Sequence, residues 1–205
     1  CVGMRRRVPQ VEKVIAAANR QQARTLYLTD RTAGALSTAT WTIPCSVRGA
    51  EPFDRYSAVL SLLHFISVKN VTLDNCEITG SSKMGLLLDR CSGRVENCRI
   101  SGAAEAGLRS NEANGLAITG NTITDCANGG IWVHRWREGE DGTIVSGNRV
   151  ERIGARYGGT GQFGNGINVF RAHGVMVSNN RIADCAFSAI RSNSGVDGIR
   201  AAPYP

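Results

Sequence analysis

Arginine, aromatic, histidine and amide side chains recur where apolar and polar residues alternate, the pattern of one outward face of β-strands. They align in two columns if the segments carrying them stack on one another. A guanidinium binds a carboxylate through two parallel hydrogen bonds, and tryptophan offers a flat face to a sugar ring. The first column contains Leu87, Arg109, Trp132, Asn168 and Arg191. The second contains Asp89, Asn111, His134, Phe170 and Asn193, with Arg90, Glu112, Arg135 and Arg171 beside it.

Together the two columns form one surface, here called the ribbon, whose chemistry suits an acidic polysaccharide. The predicted substrate-binding residues are Arg109, Trp132, Arg135, Asn168, Arg191 and Asn193. Two other interpretations stay open at this stage. The arginines are equally typical of a solvated strand face, and the Trp132 and Phe170 rings could instead pack beneath neighbouring loops.

His134 and Arg171 are the candidate catalytic residues. Histidine titrates near neutral pH and can act as a general acid or base. In a lyase or epimerase, such a group removes the proton beside a uronate carboxylate while an arginine neutralises that carboxylate. The alternative is that His134 is an ordinary surface histidine, and the sequence leaves open whether the protein is an enzyme.

A repeat must position these residues. Its register is set by five aliphatic residues at successive separations of 22, 23, 27 and 32 positions, obtained by subtracting their numbers: Ile78, Ile100, Ile123, Val150 and Ile182. Two positions earlier stand Cys76, Cys98, Asn121, Asn148 and Asn180. Asparagines stacked in one turn can hydrogen-bond along the stack and tolerate left-handed backbone, so these five positions are predicted to form a structural ladder that the cysteines continue as small buried residues.

Each unit holds three short alternating stretches separated by Gly, Asn or Ser and is too small to bury its own apolar side. Stacking the units buries one continuous column. The predicted fold is therefore all-β, a right-handed parallel β-helix with coils of about 22 residues.

The chain is predicted to form a single domain over residues 1–205. Helical spacing over 8–20 predicts a short N-terminal capping helix. Irregular early coils are expected over 21–67, five regular coils over 68–195, and the start of an unfinished coil over 196–205. Two insertions flank the ribbon, WREGEDG (136–142) and GARYGGTGQFGN (154–165). Loops on one side of a rigid solenoid commonly wall a binding groove.

The amino-acid composition limits the classes of binding partner that are expected. The net charge of +7 favours a polyanion, but the basic residues are spread over the units and no nucleic-acid-binding module is present, so no nucleic-acid partner is expected. No apolar run approaches the roughly 18 residues of a membrane span. Seven cysteines cannot all pair within one chain, and neither they nor the acidic residues show metal-ligand spacing. No metal or cofactor is expected.

Three segments, GLAITGNTITDC, EDGTIVSGNRVERI and GGTGQFGNGINVFRAHGVMVSNNRIADCAFSAIRSN, carry a family resemblance. Together they resemble the twin-arginine-translocated β-helix repeat proteins of bacteria, and the early part of the chain is similar to pectate-lyase-like β-helix proteins. The resemblance implies a right-handed β-helix, export to the periplasm or beyond, and a role in polysaccharide metabolism. The Arg5–Arg7 run is followed by VPQVEKV instead of an apolar stretch, so export is inferred from the resemblance.

Two functions are consistent with these observations. The first is an exported protein that binds an acidic polysaccharide along the ribbon and could modify it as a lyase or epimerase. The alternative is a non-catalytic β-helix scaffold used in adhesion or assembly.

Overall fold

Every strand pairing among the residues that the computed structural model describes is parallel. The structure describes residues 26–29, 40–41, 46–48, 61–159, 161–193 and 200–202, and side chains within 61–159 and 161–193. These residues form twenty strands, numbered β1 to β20 along the chain, with no helix among them. Each strand pairs with the strand three further along, so the backbone winds through three sheets in turn.

The first sheet carries the ribbon on its outer face. Its strands are β1 (Leu26–Thr29), β4 (Ser61–Ile66), β7 (Met84–Asp89), β10 (Ala106–Asn111), β13 (Gly129–Glu140), β16 (Asn165–His173) and β19 (Ile190–Asn193). The second sheet contains β2 (Thr40–Trp41), β5 (Val71–Asp74), β8 (Gly93–Glu96), β11 (Leu116–Thr119), β14 (Ile144–Ser146), β17 (Met176–Ser178) and β20 (Arg200–Ala202). The third contains β3 (Ser46–Arg48), β6 (Glu77–Thr79), β9 (Arg99–Ser101), β12 (Thr122–Cys126), β15 (Arg149–Ile153) and β18 (Arg181–Cys185).

The core is a column of aliphatic side chains enclosed by the three sheets. Strand alternation turns every second residue inward, and parallel register places identical positions of successive coils on top of one another. In the first sheet this stack runs through Leu63, Leu86, Leu108, Ile131, Ile167 and Ile190. All but the last are fully buried.

A glycine stands before the inward aliphatic residue in four coils because no side chain fits there. A Cβ on Gly107 would lie 2.5 Å from Cγ2 of Ile123 and 3.2 Å from the carbonyl oxygen of Gly130. The same collision recurs at Gly85, Gly130 and Gly166. These glycines let the first sheet approach the third, which explains the small residue in each repeat.

The Asn ladder is a continuous chain of hydrogen bonds in the turn between the second and third sheets. Nδ2 of Asn121 donates to Oδ1 of Asn148 over 3.0 Å, and Nδ2 of Asn148 donates to Oδ1 of Asn180 over 2.9 Å. The cysteines extend the column: the Cys98 amide donates to Oδ1 of Asn121, and the Cys76 amide lies 3.5 Å from Sγ of Cys98.

One detail predicted for this turn is wrong. The ladder residues are not left-handed; the residue before each of them is. Gly120, Gly147 and Asn179 have φ of 64°, 65° and 53°, and Asn75 and Asn97 have 54° and 53° before the two cysteines. The left-handed residue makes the bend, and the following Asn is thereby turned inward, where its amide meets the next coil.

Several predictions concern residues that the structure describes only in part. The capping helix over 8–20 lies outside the described residues. Of the early coils over 21–67, strands β1 to β4 are described, and β1, β2 and β3 each pair in parallel register with the next coil. In the segment over 196–205, Arg200–Ala202 pairs with Met176–Ser178.

Candidate functional site

The ribbon aligns as its repeat spacing predicts. Register pairs Arg109 with Leu87, Trp132 with Arg109, Asn168 with Trp132 and Arg191 with Asn168. The second column aligns in the same way from Asp89 to Asn193. Whether these outward side chains are accessible to solvent depends on the two insertions, which cover some of them.

Trp132 is not a surface platform for a sugar ring. Its side chain is 0% exposed and belongs to a small apolar cluster on the outer side of the sheet, with Met84, Leu87 and Ala106. The Phe163 ring lies 6.0 Å from the Trp132 ring and covers it. The alternative interpretation, in which the indole packs beneath a loop, is therefore correct.

The loop that covers Trp132 comprises residues 154–159 and 161–164. Its ends are fixed by Asn128, whose Oδ1 accepts from the Tyr157 amide over 2.8 Å and whose carbonyl oxygen accepts from the Gly164 amide over 2.7 Å. Tyr157 packs edge-on against Phe163 at 5.6 Å. The second insertion thus covers part of the ribbon instead of only bordering it.

His134 is buried as well, with 4% of its surface exposed. Its ring stacks on Trp132 with centroids 5.4 Å apart, and its Nε2 lies 2.8 Å from Nδ2 of Asn168. Burial, helped by the nearby charge of Arg109, lowers the pKa of His134 to about 3. A neutral, enclosed imidazole is a poor acid or base at neutral pH, so the geometry does not support His134 as a catalytic residue.

Arg135 contacts acceptors within the protein. Its Nη2 lies 3.0 Å from a carboxylate oxygen of Glu112, and its Nη1 lies 3.7 Å from Asp141 and donates to the carbonyl oxygen of Ala113 over 3.0 Å. Removing both Glu112 and Asp141 would leave a mostly buried positive charge uncompensated. Both Nη atoms of Arg135 therefore already contact acceptors of the protein, so the geometry does not favour Arg135 as a substrate-binding residue. Asn168, 1% exposed and bonded to His134, is likewise inaccessible.

Arg109 lies between two indole rings. Its guanidinium carbon is 5.9 Å from the centroid of Trp132 and 5.6 Å from that of Trp136, both within cation–π range. Nη2 donates to Oδ1 of Asn111 over 3.3 Å, whereas the buried Nε has no hydrogen-bond partner in the part of the chain that the structure describes. Desolvation lowers the pKa of Arg109, opposed by the charges of Glu105 and Asp89.

Arg171 is exposed and is not assembled with His134. The Phe170 ring lies between them, 5.7 Å from the His134 ring and 4.8 Å from the Arg171 guanidinium carbon. Nη1 of Arg171 donates to the carbonyl oxygen of Trp136 over 2.8 Å. In the coil that contains β19, Arg191 and Asn193 are half-buried, and Oδ1 of Asn193 has no hydrogen-bond partner among the described residues.

Trp136 is the residue of this surface that the repeat pattern missed. It lies in the first insertion, which continues strand β13 past a register shift between His134 and Gly139 instead of forming a separate loop. Its side chain is 65% exposed. One signal was available: Trp136 is the only large apolar residue within the otherwise charged and glycine-containing stretch RWREGEDG (135–142).

Other kinds of site are not seen within the described residues. No group of three or more His, Cys, Asp or Glu side chains there could hold a metal ion. The same residues include no helix long and apolar enough to pass through a bilayer.

Three parallel sheets around one aliphatic column, joined by a turn with a side-chain ladder, define a parallel β-helix. The family model described as a right handed beta helix region matches residues 61–199, more than half of the chain. The chain therefore belongs to the right-handed β-helix family, which confirms the predicted fold. Comparisons with curated proteins and with solved structures give no match.

Proposed function

We propose that the protein binds an acidic polysaccharide on the accessible part of the ribbon. The observation that carries this proposal is the uneven pairing of its arginines. On the first sheet, Arg109, Arg171 and Arg191 form no ion pair with a carboxylate in the part of the chain that the structure describes. Within the described residues, three guanidinium groups therefore share one face without a carboxylate in direct contact, and Glu105 and Asp89 act on Arg109 only at longer range.

The third sheet provides the contrast. Arg149 and Arg181 lie 2.7 Å and 3.6 Å from the Glu151 carboxylate, and Arg152 binds Asp125 through two hydrogen bonds of 2.6 Å and 2.7 Å. These guanidinium groups are neutralised by the fold itself. The first sheet thus attracts a polyanion more strongly than a face with an equal number of paired arginines.

A polymer with one carboxylate per sugar matches a face built from stacked coils. Neighbouring coils are about 4.8 Å apart, so an extended anionic chain can meet several of them. Each guanidinium can bind a carboxylate through two parallel donors. Because His134 is enclosed and neutral, the proposal is binding; lyase or epimerase turnover would require a different acid–base group.

The resemblance to twin-arginine-translocated proteins supports placing this binding outside the cytoplasm, in the periplasm or beyond, where such polymers are met. A second candidate function is a non-catalytic scaffold. It is favoured by the burial of Trp132, His134 and Asn168, because these side chains serve packing and not recognition.

The test is affinity electrophoresis of the purified chain through gels containing polygalacturonate, alginate or neutral dextran, followed by analysis of the polymers for unsaturated products. We expect retardation by the uronate polymers, weakened by Arg109→Gln and by Arg191→Gln. Arg149→Gln is the matched control, because it also removes one positive charge but from a paired arginine. Equal losses in all three variants would mean non-specific charge attraction. No retardation by any polymer would favour the scaffold.

A further inference from the structure

Trp136 combines high exposure with a fixed backbone. Its amide donates to Oε1 of Glu112, and its carbonyl oxygen accepts from Nη1 of Arg171. The anchors come from the two neighbouring coils: Glu112 directly follows β10, and Arg171 lies in β16. An indole with 65% of its surface in water contributes little to the core, yet its backbone is held on both sides.

We propose that Trp136 is a stacking platform for a uronic acid residue, a subsite that deepens the proposed function and rests on it. The face of an indole carries partial negative charge and attracts the weakly positive C–H groups of a sugar ring. In protein–protein interfaces, tryptophan is also one of the residue types enriched at the positions that dominate the binding energy. The subsite would therefore recognise the sugar ring, with its carboxylate directed to an adjacent arginine.

Charge around the platform favours a carboxylate. The Arg109 guanidinium lies 5.6 Å from the indole centroid, and Arg171 is anchored to the Trp136 carbonyl through one nitrogen only. The nearest acid, Glu112, is already occupied by Arg135 and by the Trp136 amide. Farther along the strand, Glu138 lies 3.1 Å from Nε2 of His173.

The geometry also gives Arg109 a second role. Because its guanidinium contacts both the buried Trp132 and the exposed Trp136, it joins the platform to the packed part of the ribbon. Its position would hold the Trp136 ring on the sheet side and leave the opposite side for the ligand. Loss of Arg109 should therefore reduce the positive charge beside the Trp136 ring and leave the orientation of that ring less fixed.

The experiment is isothermal titration of the full chain with oligogalacturonides and with their methyl esters, alongside tryptophan fluorescence. Trp136→Ala should weaken oligogalacturonide binding at least tenfold, equivalent to 1.4 kcal/mol, whereas Trp136→Phe should stay within threefold of the wild type. The methyl esters should bind at least tenfold more weakly than the free acids. The ligand-induced change in fluorescence should disappear in Trp136→Phe, although binding persists.

Met176→Ala is the matched control, because Met176 is a large apolar side chain, 42% exposed, on the second sheet. It should leave binding unchanged, and urea midpoints should show that all variants fold. If Trp136→Ala binds as the wild type does while Arg109→Gln is weakened, the platform is wrong and the proposed function stands. If the wild type binds none of the oligosaccharides, both are overturned.

Discussion

Replacing Asn148 with alanine removes the middle of the Asn ladder and tests how much the ladder stabilises the coils. The side chain is 1% exposed and makes four hydrogen bonds. Oδ1 accepts from the backbone amide and from Nδ2 of Asn121, at 2.9 Å and 3.0 Å. Nδ2 donates to the carbonyl oxygen of Ile118 over 2.8 Å and to Oδ1 of Asn180 over 2.9 Å.

The expected loss follows from the groups that stay buried without a partner. In Asn148→Ala, the Asn121 amide loses its acceptor and the Ile118 carbonyl loses this donor. At about 2 kcal/mol for each buried group, the free energy of unfolding should fall by about 4 kcal/mol. With a urea slope of about 3 kcal/mol per molar, the unfolding midpoint should fall by about 1.3 M.

Urea unfolding followed by far-UV circular dichroism measures this shift. Asn114→Ala, at an exposed turn, is the control and should change stability by less than about 0.5 kcal/mol. Asn148→Asp separates hydrogen bonding from packing, because its second oxygen would face the Ile118 carbonyl while the side-chain volume hardly changes. A stable Asn148→Asp variant, or an Asn148→Ala loss below about 1 kcal/mol, would refute the argument.

Three further predictions concern close approach, pH and thiol chemistry. Gly130→Ala places a methyl group against the Gly166 carbonyl and should destabilise the fold by about 3 kcal/mol in urea titrations, whereas Gly115→Ala, with open space but φ of 68°, should cost about 1 kcal/mol. Because His134 has a pKa of about 3 when folded against 6.5 when unfolded, the unfolded chain binds its proton first, and stability should fall as pH drops from 6.5 towards 3. His134→Gln should flatten that fall, and an unchanged slope would contradict it. Iodoacetamide labelling at pH 8, read by peptide mass spectrometry, should modify Cys185 before the other described cysteines, which are all buried, and equal rates would contradict this order.

The repeat predicts register well because one physical requirement, stacking without gaps, acts on every coil. The ladder positions, the glycines that let the sheets approach and the two columns of the ribbon all follow from it. The error over the left-handed residue is of a different kind. Asn is tolerated both at the bend, as at Asn179, and in the ladder, as at Asn180, so residue type alone does not distinguish the two positions.

Accessibility could not be predicted from the same pattern. Alternation places Trp132 outward, but what lies above an outward side chain is decided by residues that do not repeat. Phe163 contacts Trp132 from an insertion that has no counterpart in the other coils that the structure describes. Trp136 lies beyond a register shift, where period-two alternation no longer relates the strand to its neighbour. The repeat pattern therefore predicts the exposure of neither indole: it places the buried Trp132 on the outer face, and it does not include the exposed Trp136.

The lack of an ion pair at Arg109 and Arg191, in contrast, has a local signal in the residue two positions after each of them. Strand alternation puts residues i and i+2 on the same face, within reach of one another. Where the segment reads Arg-Val-Glu, at 94–96 and 149–151, the guanidinium pairs with that glutamate at 3.2 Å and 2.7 Å. Where it reads Arg-Ser-Asn, at 109–111 and 191–193, the same position holds an amide, which can accept a hydrogen bond but cannot neutralise the charge.

An aspartate in place of Asn111 should therefore make the ribbon resemble the third sheet, and Asn111→Asp should weaken polygalacturonate binding about as much as Arg109→Gln does. If it left binding unchanged, an uncompensated Arg109 would not be what attracts the polymer.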